Sequence, residues 1–192
     1  IELLDKAMEL NPRDTSPYYG WVLLYYYRDY EKALAILEQF DAYTPDFDDA
    51  PMGEDIHYLK GLCHMQMQHY AQALEEFNLY ISHTSSTNGE DYVNVYTFVQ
   101  KGRCQAHLGQ IEEAAISYKK AISHYENCAE AYYYLGLNQV RTGDIDSACT
   151  NFTLARSLIE KGYKNSDPYV EYFHEIYIQQ VDESITENCA DE

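Results

Sequence analysis

A small residue recurs at the same place in several segments of the chain, and this repetition constrains the fold more than any other feature. Each segment has Ala at its fourth position, a large apolar residue four positions later and a further apolar residue three positions after that. The segments are YEKALAILEQF at 30–40, YAQALEEFNLY at 70–80, IEEAAISYKKA at 111–121 and IDSACTNFTLA at 145–155. Spacing of i, i+4 and i+7 places side chains on one face of an α-helix, so each segment predicts an amphipathic helix.

A second helical stretch precedes each of these segments, and a short polar break separates the two. Three of the preceding stretches carry glycine at the same offset: Gly61, Gly102 and Gly136. The polar breaks are Arg28-Asp29, Gln68-His69, Gly109-Gln110 and Gly143-Asp144. The repeated unit is therefore predicted to be helix, tight turn, helix. One such pair cannot bury its apolar face alone, so successive pairs are expected to stack.

This unit resembles the tetratricopeptide repeat, a 34-residue helical hairpin. The family pattern has a large residue at position 4, Gly or Ala at position 8, Ala at 20, an aromatic residue at 24 and Ala at 27. The last hairpin of the chain fits this pattern with Tyr132, Leu135, Gly136, Ala148, Phe152 and Ala155. The resemblance implies an all-α fold, namely a right-handed α-solenoid of stacked antiparallel helix hairpins.

The resemblance covers nearly the whole chain and divides it as one continuous solenoid domain. It implies the second half of a truncated repeat at 1–13, complete repeats at 14–47, 54–87, 95–128 and 129–162, a capping helix within 163–182 (roughly 168–182) and an acidic flexible tail at 183–192. Residues 48–53 and 88–94 are expected to form lengthened loops between repeats. Trp21 falls in the glycine position of the first complete repeat, which predicts different packing there. Because the chain opens within a repeat, we expect further sequence upstream.

The charge of the chain bears on its partners. Lys and Arg total 13 against 32 Asp and Glu, for a formal net charge of −19. Such a surface repels phosphate backbones and anionic lipids, so nucleic acid is not expected as a partner. The longest apolar run, at 18–27, is about half as long as a bilayer crossing requires, so no membrane insertion is expected.

The cysteines and histidines predict no cofactor or metal site. The five cysteines, an odd number without a C-x-x-C pair, are interpreted as small buried apolar residues rather than disulfides, which slightly favours a reducing, cytoplasmic compartment. His57 and His64 lie near one helix face, but His69 falls in a turn, so no convergent ligand set is predicted. The acidic stretch at 46–49 lacks the spacing of a calcium-binding loop and is interpreted as a solvated loop.

Catalytic motifs are also missing from the sequence. It contains no Gly-rich phosphate loop, no G-x-S-x-G and no H-E-x-x-H. The carboxylate pairs on the predicted helices face water, so their pKa values are not expected to be pushed apart as acid–base catalysis requires. We therefore predict that the chain is not an enzyme.

In tetratricopeptide repeats the first helix of each hairpin lines a concave groove, and the resemblance implies which residues would face it. The candidate groove residues are Tyr18, Tyr25, Tyr58, Tyr96, Arg103, His107, Tyr133 and Arg141. Tyrosine and arginine are over-represented at binding hot spots, and an arginine can grip a carboxylate through two hydrogen bonds. The alternative, that several of these tyrosines only seal one repeat against the next, remains open for each of them.

Family members that bind chaperone tails hold a terminal carboxylate with Lys at position 5 and Asn at position 9 of one repeat. The corresponding pairs here are Tyr18 and Val22, Tyr58 and Leu62, and Val99 and Arg103. Binding to chaperone tails is therefore not expected.

Three functional hypotheses follow. The main one is a non-enzymatic protein–protein interaction scaffold or adaptor that binds a peptide or protein segment in a tyrosine-rich groove. The second is a regulatory or self-assembly region of a larger enzyme or sensor protein. The third is self-association through an exposed first repeat, because truncation of a solenoid bares apolar surface.

Overall fold

The structure is a computed structural model that describes residues 1–45 and 49–189, and within these residues it is helical without a β-strand. The chain divides into two compact units, unit 1 at Ile1–Thr87 and unit 2 at Asn88–Glu192. Unit 1 contains α1 (Glu2–Leu10), α2 (Pro12–Val22), a π-helical turn (Leu23–Tyr27), α3 (Tyr30–Asp41), α4 (Ile56–Gln66) and α5 (Tyr70–Thr87). Unit 2 contains α6 (Val95–His107), α7 (Ile111–His124), α8 (Ala129–Thr142), α9 (Ile145–Glu160) and α10 (Ile178–Asn188). Short 3₁₀ turns at Pro51–Gly53 and Glu90–Tyr92 precede α4 and α6.

The predicted helical hairpins are confirmed, and each unit is a stack of them, which places the chain among the α-solenoids. The helices pair as α2 with α3, α4 with α5, α6 with α7, and α8 with α9. The predicted polar breaks lie at the turns, where Gly109 and Gly143 adopt positive φ angles of 76° and 80°. Asp29 and Asp144 cap α3 and α9, since their carboxylates accept from the amides of Lys32 and Ser147.

The small residues that define the repeat lie where the helices of a hairpin cross. Ala33, Ala73, Ala114 and Ala148 are completely buried. A Cβ atom added to Gly102 would lie 2.5 Å from the ring of Tyr118, and the same position in the neighbouring hairpins is equally closed. The close approach therefore requires glycine, as the repetition in the sequence predicts.

The first complete hairpin has a different register from the one predicted. Gly20, rather than Trp21, meets the second helix, because a Cβ atom added to Gly20 would lie 2.8 Å from Leu37 Cδ2. Thirteen positions separate Gly20 from Ala33, whereas twelve separate the corresponding glycine and alanine of the other hairpins. The π-helical turn at Leu23–Tyr27 absorbs the extra residue. The placement of Trp21 in the glycine position was wrong, and with it the position assigned to Tyr18.

The capping helix predicted at 168–182 is also wrong in its placement. Residues 163–177 form an irregular segment, and α10 begins only at Ile178. Pro168 disfavours a helix through this point, and the Asp167 carboxylate accepts from the amides of Tyr169 and Val170 at 2.7 and 3.1 Å, which forms a turn instead.

The acidic tail predicted to be flexible at 183–192 is ordered over most of its length. Residues 183–188 belong to α10, which buries Val181 and Ser184, and Cys189 forms a disulfide with Cys149 on α9. Residues 190–192 lie outside the described part of the chain. Packing against α9 supplies the stabilisation that the polar sequence of the tail does not suggest.

The disulfide corrects the interpretation of the cysteines. Cys149 and Cys189 are 40 positions apart, with Cα atoms 5.7 Å from each other, whereas Cys63, Cys104 and Cys128 are free and buried as predicted. Burial raises the pKa of the Cys104 thiol to about 12, so this thiol is inert. Disulfides are typical of oxidising compartments, so the cysteines no longer favour the cytoplasm.

Two further expectations can be compared with the described residues. Within 1–45 and 49–189, no helix combines the length and the apolar character that a membrane crossing requires. Of the acidic stretch at 46–49, only Asp49 is described, and it accepts a hydrogen bond from the Thr44 hydroxyl. The rest of that stretch lies outside the described residues.

Candidate functional site

A cavity lies between the first helices of the two hairpins of unit 2, and it contains candidate residues from both. Its volume is about 130 Å³, and we call it the arginine cavity. It is lined by Arg103, Ala106 and His107 of α6, Tyr118 of α7, and Tyr134, Leu137, Asn138 and Arg141 of α8. The structure thus brings together three of the predicted groove residues, Arg103, His107 and Arg141.

The two arginines are held in place by different contacts. Arg103 donates through Nη1 to Gln100 Oε1 at 2.9 Å, and its guanidinium carbon lies 4.8 Å from the centroid of the Tyr134 ring. Arg141 is exposed and donates through Nη1 to the carbonyl of Ala106 at 3.0 Å. Each guanidinium keeps further donors, because it carries five N–H groups.

The electrostatics of the arginine cavity favour an anion. Desolvation, followed by the charges of Arg103 and Arg141, lowers the pKa of His107, so this ring is neutral near neutral pH. No Asp or Glu is among the described residues that line the cavity. Asn138 donates to the carbonyl of Ile111 at 2.9 Å, but its buried Oδ1 has no hydrogen-bond partner in the described structure. The cavity therefore offers two cations, apolar walls and one unpaired acceptor.

The irregular segment at 163–177, which we call the strap, lies against α6 and α8. The carbonyl of Phe173 accepts a hydrogen bond from Arg103 Nη1. The ring of His174 is stacked on Tyr96 of α6, with centroids 4.2 Å apart and an interplanar angle of 11°. The ring of Tyr172 of the strap is also parallel to it, with centroids 5.4 Å apart and an interplanar angle of 9°. His174 is consequently only 2% exposed.

Hydrogen bonds hold the strap at both of its ends. The backbone N–H of Asn165 donates to Glu130 Oε1 of α8 at 2.7 Å. Asn165 Nδ2 lies 2.7 Å from His174 Nε2, and Gln100 Nε2 of α6 lies 3.4 Å from His174 Nδ1. Lys164 Nζ and Glu175 Oε1 form an ion pair at 2.5 Å, which joins the two ends of the strap.

Two buried titratable groups of this site have strongly shifted pKa values. Desolvation, with a smaller contribution from the charge of Arg103, lowers the pKa of His174 to about 3. Desolvation raises the pKa of Glu130 to about 7, against the opposing effect of the backbone N–H groups that donate to it. His174 is therefore neutral in the folded chain at physiological pH, and Glu130 titrates near neutrality.

Several predicted groove tyrosines are packing residues in the structure. Tyr25 is 4% exposed and donates to Glu54 Oε1 at 2.9 Å. Tyr58 is also 4% exposed, with its ring 6.0 Å from that of Phe77. Tyr133 is 9% exposed and lies 5.9 Å from the ring of Phe152. These three side chains leave little surface for a ligand, whereas Tyr18 is 49% exposed on α2.

The histidines considered as metal ligands have other contacts. His57 Nδ1 lies 2.7 Å from Glu76 Oε2, and the rings of His64 and His69 are 6.0 Å apart. In the part of the chain that the structure describes, no three His, Cys, Asp or Glu side chains converge as metal ligands would.

Comparison with known proteins agrees with this architecture. Residues 95–128 match one family model described as Tetratricopeptide repeat, and residues 130–166 match another. These two segments of unit 2 are tetratricopeptide repeats. No curated protein matches it in sequence.

Solved structures resemble this chain in fold. A MamA fragment, residues 41 to the end, from Desulfovibrio magneticus RS-1 superimposes with a TM-score of 0.68 at 18% identity, covering 82% of each chain. YrrB, described as a TPR protein with an unusual peptide-binding site, gives 0.58 at 20% identity, covering 81% of this chain and 74% of YrrB. PcrH from Pseudomonas aeruginosa gives 0.55 at 20% identity, covering 70% of this chain and 89% of PcrH.

The contribution of the strap to this site was missed from the sequence. The sequence predicted a capping helix at roughly 168–182, where the structure has most of the strap. Pro168 was the one signal against a helix there. No local pattern could place the strap against α6, since its contact with Gln100 spans 74 positions of the chain.

Proposed function

We propose that this protein is a non-enzymatic interaction scaffold that binds a peptide or protein segment along α6 and α8 of unit 2, with a carboxylate of the ligand in the arginine cavity. The observation that carries the proposal is the pair of guanidinium groups, Arg103 and Arg141, on one cavity whose described lining has no carboxylate. Arginine is the side chain best suited to bind a carboxylate through paired hydrogen bonds.

The size of the cavity restricts what it can hold. A volume of about 130 Å³ is below the roughly 300–1,000 Å³ typical of small-molecule pockets. It suits a carboxylate with one short side chain, such as the C-terminal residue of a peptide. The apolar walls formed by Tyr118, Tyr134 and Leu137 favour an apolar side chain beside the carboxylate, and Oδ1 of Asn138 is an acceptor for a ligand N–H.

The charge of the whole chain restricts the rest of the ligand. At a net charge of −19, the protein repels a peptide that is acidic along its length. A ligand that suits both the positively charged arginine cavity and the negatively charged chain carries a carboxylate at one point of an otherwise neutral or basic peptide. The resemblance to YrrB supports a peptide as the class of ligand, since that protein is described as having a peptide-binding site.

Paired peptide libraries test this proposal. Random peptides with a free C-terminal carboxylate would be selected on the full chain, and each selected peptide would then be compared with its C-terminal amide by fluorescence polarisation. We expect amidation to weaken binding by about tenfold or more, the value of one charge-assisted hydrogen bond.

A matched pair of variants tests whether the carboxylate peptides bind at the arginine cavity. Arg141→Gln is expected to weaken binding of the carboxylate peptides by a similar factor, because Arg141 lines the arginine cavity. Arg13→Gln makes the same change of charge on an exposed residue of unit 1 and is expected to leave binding unchanged. Equal binding of acid and amide forms, or equal loss in both variants, would overturn the proposal.

A second candidate is a self-assembly or regulatory region of a larger protein. The observation that favours it is α1, on which Leu3 and Leu10 are 81% and 86% exposed and no residue is buried. Exposed apolar side chains on one short helix are typical of a surface that another chain covers. Sedimentation of the wild type against Leu3→Glu/Leu10→Glu tests it, and a monomeric wild type at high concentration excludes self-assembly through α1.

A further inference from the structure

We propose that the strap is a ligand built into the chain, which occupies a peptide site on α6 and α8, and that external ligands of this site are extended peptides with an aromatic-aromatic-histidine sequence. This inference rests on the proposed function, because it names a second subsite on the same face of unit 2. The peptide would enter by displacing the strap.

The backbone contacts of the strap are of the kind that an extended peptide makes. Its residues have no regular secondary structure, so their backbone groups need partners elsewhere. Side chains of the first helices supply them: Arg103 donates to the carbonyl of Phe173, and Glu130 accepts from the N–H of Asn165. A separate peptide in the same conformation would satisfy the same two side chains.

One side chain of the strap is inserted as an anchor. The ring of His174 lies parallel to Tyr96 and Tyr172, and both of its nitrogens lie within hydrogen-bond distance of an amide group. A buried, fully paired aromatic side chain surrounded by more exposed neighbours is the usual form of a binding hot spot. The site is therefore specific for an imidazole next to aromatic residues.

The part of the strap that precedes Ile176 can leave its site while Ile176 stays in the core of unit 2 and the flanking helices remain in place. On its C-terminal side, α10 is fixed to α9 independently, through the Cys149–Cys189 disulfide and the pair between Arg156 Nε and Asp182 Oδ1 at 2.6 Å. In the middle of the strap Ser166, Pro168 and Tyr169 are exposed, whereas Val170 is buried. A tethered segment of this kind acts at a high effective concentration, so it excludes external peptides until its anchor is weakened.

Arg103 connects this site to the arginine cavity. Its guanidinium lines the cavity, and one of its nitrogens donates to the strap carbonyl of Phe173. A carboxylate that reorients Arg103 would withdraw this donor from the strap. Occupation of the cavity and release of the strap are therefore expected to favour each other.

The test uses the full chain and a labelled peptide with the strap's own sequence, YKNSDPYVEYFHEIY, acetylated and amidated so that it carries no terminal charge. His174→Ala removes the anchor of the tethered strap and leaves the site on α6 intact. We expect the peptide to bind this variant at least about tenfold tighter than the wild type. Tyr169→Ala, a change at an exposed strap residue, is the matched control and should bind like the wild type.

Two further changes test whether the peptide binds through its histidine and Tyr96. A peptide with alanine in place of its histidine should bind the His174→Ala variant at least about tenfold more weakly, and Tyr96→Ala in the same variant should have the same effect. The proposal is overturned when the folded His174→Ala variant binds the peptide no better than the wild type, or when Tyr96→Ala leaves that binding unchanged.

A measurement on the wild type covers the case in which His174→Ala does not fold. In the seated strap the His174 ring should not titrate between pH 5 and 8 by NMR, because burial lowers the pKa of His174 to about 3. Peptide at its highest soluble concentration should make the ring titrate near its ordinary value. A ring that stays untitrated under these conditions contradicts displacement.

The proposed function and this inference can fail separately. The strap peptide has no terminal carboxylate, so Arg141→Gln should not abolish its binding. Carboxylate peptides that bind and respond to Arg141→Gln, together with a strap peptide that never binds, would reject only the inference. A strap peptide that binds, together with carboxylate peptides that do not respond to Arg141→Gln, would reject only the carboxylate proposal.

Discussion

The imidazole of His174 lies parallel to the phenol ring of Tyr96, with 4.2 Å between the ring centroids. This contact joins the strap to α6 and buries a histidine that is 2% exposed. The same ring meets side chains of α6 and of the strap through both nitrogens. This pair of rings therefore holds the strap to α6 together with the hydrogen bond from Arg103 to the carbonyl of Phe173.

Tyr96→Ala is expected to loosen the strap while unit 2 stays folded. Loss of the stacked ring should cost about 0.5–1.5 kcal/mol beyond the area that the ring buries. Hydrogen–deuterium exchange of residues 163–177 should become faster, whereas exchange in α9 should not change. Tyr92→Ala, at a residue that is 73% exposed, is the control. Unchanged exchange in the strap of Tyr96→Ala would contradict the anchoring role.

His174 should make the protein less stable in acid. Its folded pKa of about 3 is below the ordinary value of 6.5, so the unfolded chain binds the proton more readily. The contribution of the neutral ring is complete above pH 6.5 and is lost as the pH falls toward 3. Relative to His174→Gln, the wild type should therefore lose free energy of unfolding below about pH 6.5.

Chemical denaturation of both proteins across this range measures the difference. Above pH 6.5 the difference in their free energies of unfolding should be constant, since neither residue titrates there. A constant difference down to pH 4 would show that His174 is not held neutral by burial.

Glu130 should have the opposite pH dependence. Desolvation raises the pKa of Glu130 from 4.5 to about 7, so the folded state retains the proton more readily than the unfolded chain. The stabilisation of the folded state by protonated Glu130 is complete below pH 4.5 and is lost as the pH rises through 7. The charged groups that act on it are Lys164, which lowers its pKa, and Glu175, which raises it. The Cys128 thiol, 3.9 Å from Glu130 Oε2, is also buried.

Glu130→Gln is therefore expected to gain stability relative to the wild type as the pH rises from 4.5 to 8. The glutamine oxygen can still accept from the N–H of Asn165, so the strap should remain seated. Glu126→Gln, at an exposed residue in the turn between α7 and α8, should show no such trend. Thermal melts at several pH values measure both variants, and parallel curves for wild type and Glu130→Gln would refute this expectation.

Reduction of the Cys149–Cys189 disulfide should destabilise α10 selectively. The bridge closes a loop of 40 positions, and removal of a bridge of this size typically costs about 2–4 kcal/mol. Reductant should lower the melting temperature and accelerate exchange in α10. Cys149→Ser should melt at the lower temperature with or without reductant, whereas Cys63→Ser should keep the reductant response. Identical melting of wild type with and without reductant would exclude a stabilising bridge.

The hairpins could be predicted from sequence because their signals are local. Ala73 and Phe77 lie four positions apart on one helix, and Gly61 faces that helix across a single short turn. Helix periodicity and side-chain size therefore determine which faces meet. The first hairpin shows the limit of this reasoning, since one extra residue moved the crossing to Gly20 and required a π-helical turn.

The candidate site could be predicted only in part. Arg103, His107 and Arg141 were assigned to one face from their positions in the repeat, and they do line one cavity. Whether a tyrosine packs or stays exposed depends on neighbours that are distant in sequence. Tyr25 and Tyr58 are buried for this reason, although their positions in the repeat suggested a groove.

The sequence by itself determined the helical hairpins, the small residues at their crossings and the excess of negative charge, because each depends on residue type or on spacing within a few turns. Only the tertiary structure decided the path of residues 163–177, the pairing of Cys149 with Cys189 and the burial of Glu130 and His174. These features depend on which distant segments exclude water from one another, and desolvation is set by the complete three-dimensional packing.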